Sequence, residues 1–148
     1  MLHEILSQYF EDIDDSIRNL ENANVERYEE EVLTSSRANL RIRVRFLSGH
    51  LLEVNEAIVI VKDQLKHLGY RYHFQDQENN LIFRYDNTPH FPELKSFPHH
   101  KHLKNKVEDS NEPQMFHFFF GHFVPLLSDV CCPRITTDHS WQQASPFG

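Results

Sequence analysis

Apolar side chains recur at three- and four-residue intervals through Leu2, Ile5, Leu6, Tyr9, Ile13, Ile17 and Leu20, with Glu11, Asp12, Asp14 and Asp15 between them. This spacing puts one apolar stripe on a helix and predicts an amphipathic helix from about Leu2 to Leu20. After the turn-like Asn22-Ala23-Asn24 the period changes to alternation with β-branched content. Strands are predicted over Val25 to Leu33 and Leu40 to Leu47. Ser48-Gly49 marks a tight hairpin into a third strand, Leu51 to Val61, and Lys62-Asp63-Gln64 turns the chain again. A fourth strand covers about Leu65 to Gln75, the polar run Asp76 to Asn80 is a loop, and Leu81 to Asp86 forms a fifth strand. Sequential strands with short turns predict an α+β fold: an antiparallel meander of about five strands, covered on its apolar face by the helix. From Asn87 onward Pro89, Pro92 and Pro98 exclude a central strand or a helix interior, so a proline- and histidine-rich loop crossing the sheet is expected.

Composition narrows the class. The chain has 148 residues and a formal charge of -7, room for one domain with its own core and little scope for non-specific binding through a uniformly basic surface. Its only two cysteines, Cys131 and Cys132, are adjacent, a spacing unsuited to an ordinary bridge or a zinc knuckle. No apolar run approaches the roughly 20 residues of a membrane helix, and Met1-Leu2-His3-Glu4 lacks a secretory pattern. A cytosolic protein without membrane association is expected.

Basic groups are local. Alternation places Arg41, Arg43 and Arg45 on one face of the second strand, opposite Ile42, Val44 and Phe46. It likewise sets Arg71, His73 and Gln75 against Tyr70, Tyr72 and Phe74, and Arg84 and Asp86 against Phe83 and Tyr85. A guanidinium group makes paired, charge-assisted hydrogen bonds to phosphate, and an imidazole can move a proton near neutrality. Together they suit metal-independent cleavage of RNA: a base takes the 2′-hydroxyl proton, arginines stabilise charge on the phosphate, and an acid protonates the leaving oxygen. The same arginines could instead pair across strands with Glu26, Glu30, Glu53 and Glu56 on a solvated face.

Four of the eleven histidines fall between positions 90 and 102. The catalytic reading takes Arg71, His73, Arg84, Asp86, His90, His99, His100, Lys101 and His102 as the site, with Arg41, Arg43, Arg45, Arg71, Arg84 and Lys101 contacting nucleic acid and no cofactor. A second reading joins Asp86 and His90 with two of the later histidines, His100 and His102 foremost, around a divalent transition metal in a phosphoesterase or nucleotide enzyme. In a third the histidines only stack and hydrogen-bond to hold the loop, and the protein is a non-catalytic binding module. Asn87 and Thr88 read as turn-makers.

Four segments resemble the TumE family: Asn39-Leu40-Arg41-Ile42-Arg43-Val44-Arg45-Phe46, Tyr70-Arg71-Tyr72-His73-Phe74-Gln75-Asp76, Phe83-Arg84-Tyr85-Asp86-Asn87-Thr88-Pro89-His90 and Phe97-Pro98-His99-His100-Lys101-His102. The resemblance spans about residues 5 to 112. It implies the toxin of a prokaryotic toxin–antitoxin pair, neutralised by a cognate antitoxin that often carries a helix-turn-helix DNA-binding domain. RNA is the substrate expected by analogy with small toxins of that kind. After Glu112-Pro113 the sequence departs from the family pattern, so 1–112 reads as the toxin domain and 113–148 as an atypical tail, frameshifted or divergent. That tail holds five phenylalanines between Phe116 and Phe123 and only three charged residues, Asp129, Arg134 and Asp138. Unless buried, such a segment favours aggregation.

Overall fold

The computed structural model describes residues 1–111, so the predicted tail lies outside the described residues. Helix α1, Glu4–Arg18, starts where the His3 imidazole accepts a hydrogen bond from the Ile5 amide at 3.2 Å. Glu4 in its first turn and Arg18 in its last both complement the helix dipole. Its apolar stripe, Leu6, Tyr9, Phe10, Ile13 and Ile17, is buried. Each such side chain stabilises the fold by roughly 1.5–3 kcal/mol.

The strands are β1 Ala23–Thr34, β2 Arg37–Phe46, β3 Leu51–Val61, β4 Gln64–Gln75, β5 Leu81–Asp86, β6 His100–Leu103 and β7 Lys106–Asp109. All pair antiparallel in sequence order in one sheet. Lys62 and Asp63, both at positive φ, turn β3 into β4, a geometry whose twist matches that of the flanking strands. Leu40, Ile42, Val44, Val54, Ile58, Tyr72 and Phe74 form one core cluster with the α1 stripe.

The meander and its helix cover are as the hydrophobic pattern predicts, but among the described residues the sheet has seven strands rather than about five. Residues 87–99 form the connection, and β6 and β7 then extend the sheet from the edge of β5. Both strands are four residues long. His-Lys-His-Leu and Lys-Val-Glu-Asp carry no apolar alternation, because the buried residue of β6 is an imidazole, His100, on the polar face, while Lys101 and Leu103 take the core side.

Pairing aligns the polar face into rows. One runs Glu29, Arg41, Asn55, Arg71, Asp86, His100, Asp109, and the next Arg27, Arg43, Glu53, His73, Arg84, His102, Val107. The β4–β5 register depends on the Asp76 turn, where the carboxylate accepts from the Glu78 and Asn80 amides at 2.8 and 2.9 Å. Those amide bonds, the Asn80 amide foremost, hold Asp76 below its ordinary carboxylate value. The turn therefore gains stability above the unfolded pKa of about 3.9 and loses it as pH falls through the lower folded value. The Asp76→Ala variant should melt lower than the parent at neutral pH, with the difference vanishing in strong acid in thermal melts.

Candidate functional site

The strand parity read from the sequence holds for Arg41, Arg43, Arg45, Arg71, His73, Arg84 and Asp86, which all lie on the polar face. Their surroundings divide them. Arg43 bonds Glu53 at 3.0 Å and Arg45 bonds Glu26 at 2.8 Å, so the cross-strand pairing anticipated for these two is present. Glu30 and Glu56, expected to face the arginines, lie on the other side. Glu30 accepts from the Tyr28 hydroxyl at 2.6 Å. Glu56 is buried beneath α1 and accepts from Tyr9 at 2.7 Å and Tyr72 at 2.5 Å, with His67 Nε2 at 3.2 Å. Burial, reinforced by the Glu56 carboxylate, pushes the Tyr72 hydroxyl well above the ordinary phenol range, so it remains a donor.

Arg41 and Arg71 are exposed and make no ion pair among the described residues. They flank Asn55 in one row and border a cavity of about 260 Å³ lined also by Asn39, Ala57 and Gly69. The small side chains at Ala57 and Gly69, opposite one another in the register, leave that space. His73 stands between Glu53 and Arg84 in the neighbouring row, its Nε2 3.0 Å from Gln75 Oε1.

The end of β5 and the start of β6 bring Asp86, His100 and His102 together. Asp86 Oδ1 lies 2.9 Å from His100 Nε2, and Oδ2 lies 3.6 Å from His102 Nε2 and 3.2 Å from Arg84 Nε. The Thr88 amide donates to Oδ1 at 3.0 Å, and Asn87 Oδ1 accepts from the Tyr70 amide at 3.0 Å. The two expected turn-makers thus tie the loop to β4 and to the carboxylate. Phe91 covers the cluster, its ring centroid 5.0 Å from His100 and 5.6 Å from His102. Asp86 and His100 are buried, and burial, followed by the Arg84 charge, lowers the His102 pKa below its ordinary value.

Not every expected site residue joins this face. His99 stacks on Tyr70 at 5.9 Å and shares a 2.9 Å hydrogen bond with its hydroxyl, and Lys101 sits 5.1 Å over the Tyr85 ring. Both belong to the opposite side of the sheet, where Tyr70 and Tyr85 pack on the core. His90 is exposed and in electrostatic reach of His102. Glu53 was named from the sequence only as an ion-pair partner of the arginines, and Asn55 and Phe91 were not singled out. Only strand pairing and loop closure reveal their proximity, although the alternation of β3 already carried the parity of the first two.

A family model described as "Toxin TumE" matches residues 13–130, which takes in all seven strands, the connection and the cluster, and continues past Pro113. No curated protein and no solved structure matches the chain.

Proposed function

Because the chain belongs to the TumE toxin family, we propose that it acts as a toxin on RNA, using the polar sheet face from Arg41 to His102, and that its cognate antitoxin, carrying a helix-turn-helix domain, neutralises it by direct binding. The observation that carries the RNA reading is one row of the sheet. Arg41 and Arg71, exposed and without an ion pair among the described residues, border a cavity, and their row continues to Asp86 and His100, with Arg84, His73 and His102 in the adjoining row. Phosphate is the anion that guanidinium forks at this kind of spacing hold well.

In cleavage the 2′-oxygen bonds to phosphorus as the bond to the 5′-oxygen breaks. One group takes the 2′ proton, another gives a proton to the departing oxygen, and no co-reactant is consumed. Arg41 and Arg71 seat the backbone, and Arg84 stabilises charge on the reacting phosphate. His73, next to Arg84, serves one proton transfer, and a group held by the Asp86–His100–His102 cluster serves the other. His99 and Lys101 support the loop from the far side and stay outside this scheme.

Three phosphate contacts predict a slope of roughly -2 for log affinity against log salt on single-stranded RNA, reduced in size by about 0.7 in the Arg71→Ala variant. Fluorescence anisotropy with labelled RNA measures both. Incubating the purified full chain with transcripts tests the activity: internal cuts are expected, and intact RNA with salt-independent binding would contradict the reading.

A further inference from the structure

We propose that Asp86, His100 and His102 form a binding site for one divalent transition-metal ion of the zinc class. The hydrogen bond behind His100 points to it. Its Nδ1 lies 2.9 Å from the Pro98 carbonyl oxygen, which can only accept, so Nδ1 carries the proton and Nε2 of the neutral ring carries a lone pair. A ligating histidine is commonly fixed by this same backbone contact.

His100 is 1% exposed, and its Nε2 has no hydrogen-bond partner among the described residues, although Asp86 Oδ1 is only 2.9 Å away. In an imidazolium–carboxylate hydrogen bond the oxygen would lie along the N–H axis. Here the contact is off that axis, as it is when both atoms aim at a third point. Left to themselves, a lone pair and a carboxylate oxygen buried side by side repel, and a cation between them removes the repulsion.

The remaining geometry is near that of a zinc site. Ligands at zinc bond lengths in a tetrahedron stand about 3.3 Å apart; His100 Nε2 lies 2.9 Å from Asp86 Oδ1 and His102 Nε2 lies 3.6 Å from the other oxygen, Oδ2, so the carboxylate faces both imidazoles. The ligand atoms span up to 4.8 Å, wider than the roughly 4.2 Å that two ligands at zinc bond lengths can span, so the side chains close in by some tenths of an ångström around an ion. The Thr88 amide and Arg84 Nε hold the carboxylate from outside, and the Phe91 ring restricts water. Two imidazole nitrogens and one oxygen suit zinc, iron, manganese or cobalt and disfavour magnesium and calcium, which prefer all-oxygen shells. The fourth position is left to water. The site stands whether or not the chain cleaves RNA.

The test is a cobalt titration of the full chain after chelator treatment, followed by visible d–d absorption and thermal melting, with zinc and magnesium as competitors. The expected result is a saturable site of one equivalent that raises the melting temperature and yields to zinc but not magnesium. His102, the most exposed ligand, is the substitution with least burden on folding, and His102→Ala should weaken cobalt binding at least about tenfold. The parent-minus-variant difference reads this site apart from other histidines and Cys131-Cys132. His102→Gln, with circular dichroism, repeats the comparison at nearly native volume. Absence of saturable uptake, or equal uptake by parent and both variants, overturns the site. Metal uptake with RNA left intact keeps the site and removes the RNA reading, whereas undiminished RNA cleavage by a chain that takes up no metal does the reverse.

Discussion

Cells induced for the Arg84→Ala variant should keep growing under conditions in which the parent chain arrests them. Arg84 stands at the junction of the two functional rows, opposite His73 on one side and His102 on the other. Its Nε holds Asp86 Oδ2 at 3.2 Å, and about a third of its side chain is open to solvent. Removing it takes away the cation proposed to stabilise the reacting phosphate and loosens the carboxylate beside two imidazoles. Loss of one such transition-state contact costs about 10²- to 10³-fold in rate, enough to separate arrest from growth in viable counts. Stability is measured in parallel, because Asp86 is buried and loses one of its charge partners in the variant. Comparable melting curves for the two proteins would tie the growth difference to the site.

Tyr72→Ala should lower the melting temperature by roughly 10 °C or more, from a loss of about 3–5 kcal/mol for a buried aromatic side chain. Tyr72 is 0% exposed, packs within the core beneath α1 and donates to the buried Glu56 carboxylate. It also lies in β4 between Arg71 and His73, so its ring is the floor on which the polar rows rest. Tyr72→Phe keeps the ring and removes only the hydroxyl, and should cost about 1–3 kcal/mol for a weakened buried carboxylate. Calorimetry of the two variants separates packing from hydrogen bonding. Near-equal losses would contradict this division.

Where one face of a strand is buried, parity was readable in advance. Arg41 to Phe46 and Tyr70 to Gln75 alternate because one side meets α1 and the other meets water, and a period of two admits one assignment. That same rule fails at His100 to Leu103. The buried group is an imidazole on the polar face, covered by Phe91, so hydrophobicity carries no signal, and four residues are too few for a period. Without β6 as a strand, nothing in the sequence separates His100 and His102, which join Asp86, from His99 and Lys101, which turn to the aromatic side. Glu56 misled for a related reason. A carboxylate reads as solvent-facing, yet here Tyr9 from α1 and Tyr72 from β4, distant in sequence, satisfy it inside the core. The resemblance to the toxin family, by contrast, needed only the ordered segments between Asn39 and His102, and the family match over residues 13–130 contains them all.

The proposal that this toxin acts on RNA through the Arg41-to-His102 face is tested most directly by mapping transcript 5′ ends in cells just after induction, the full parent chain beside Arg84→Ala. The account predicts new internal ends across cellular RNA in the parent, present before growth stops, and none in the variant. Growth arrest by the parent with its transcripts intact would contradict it.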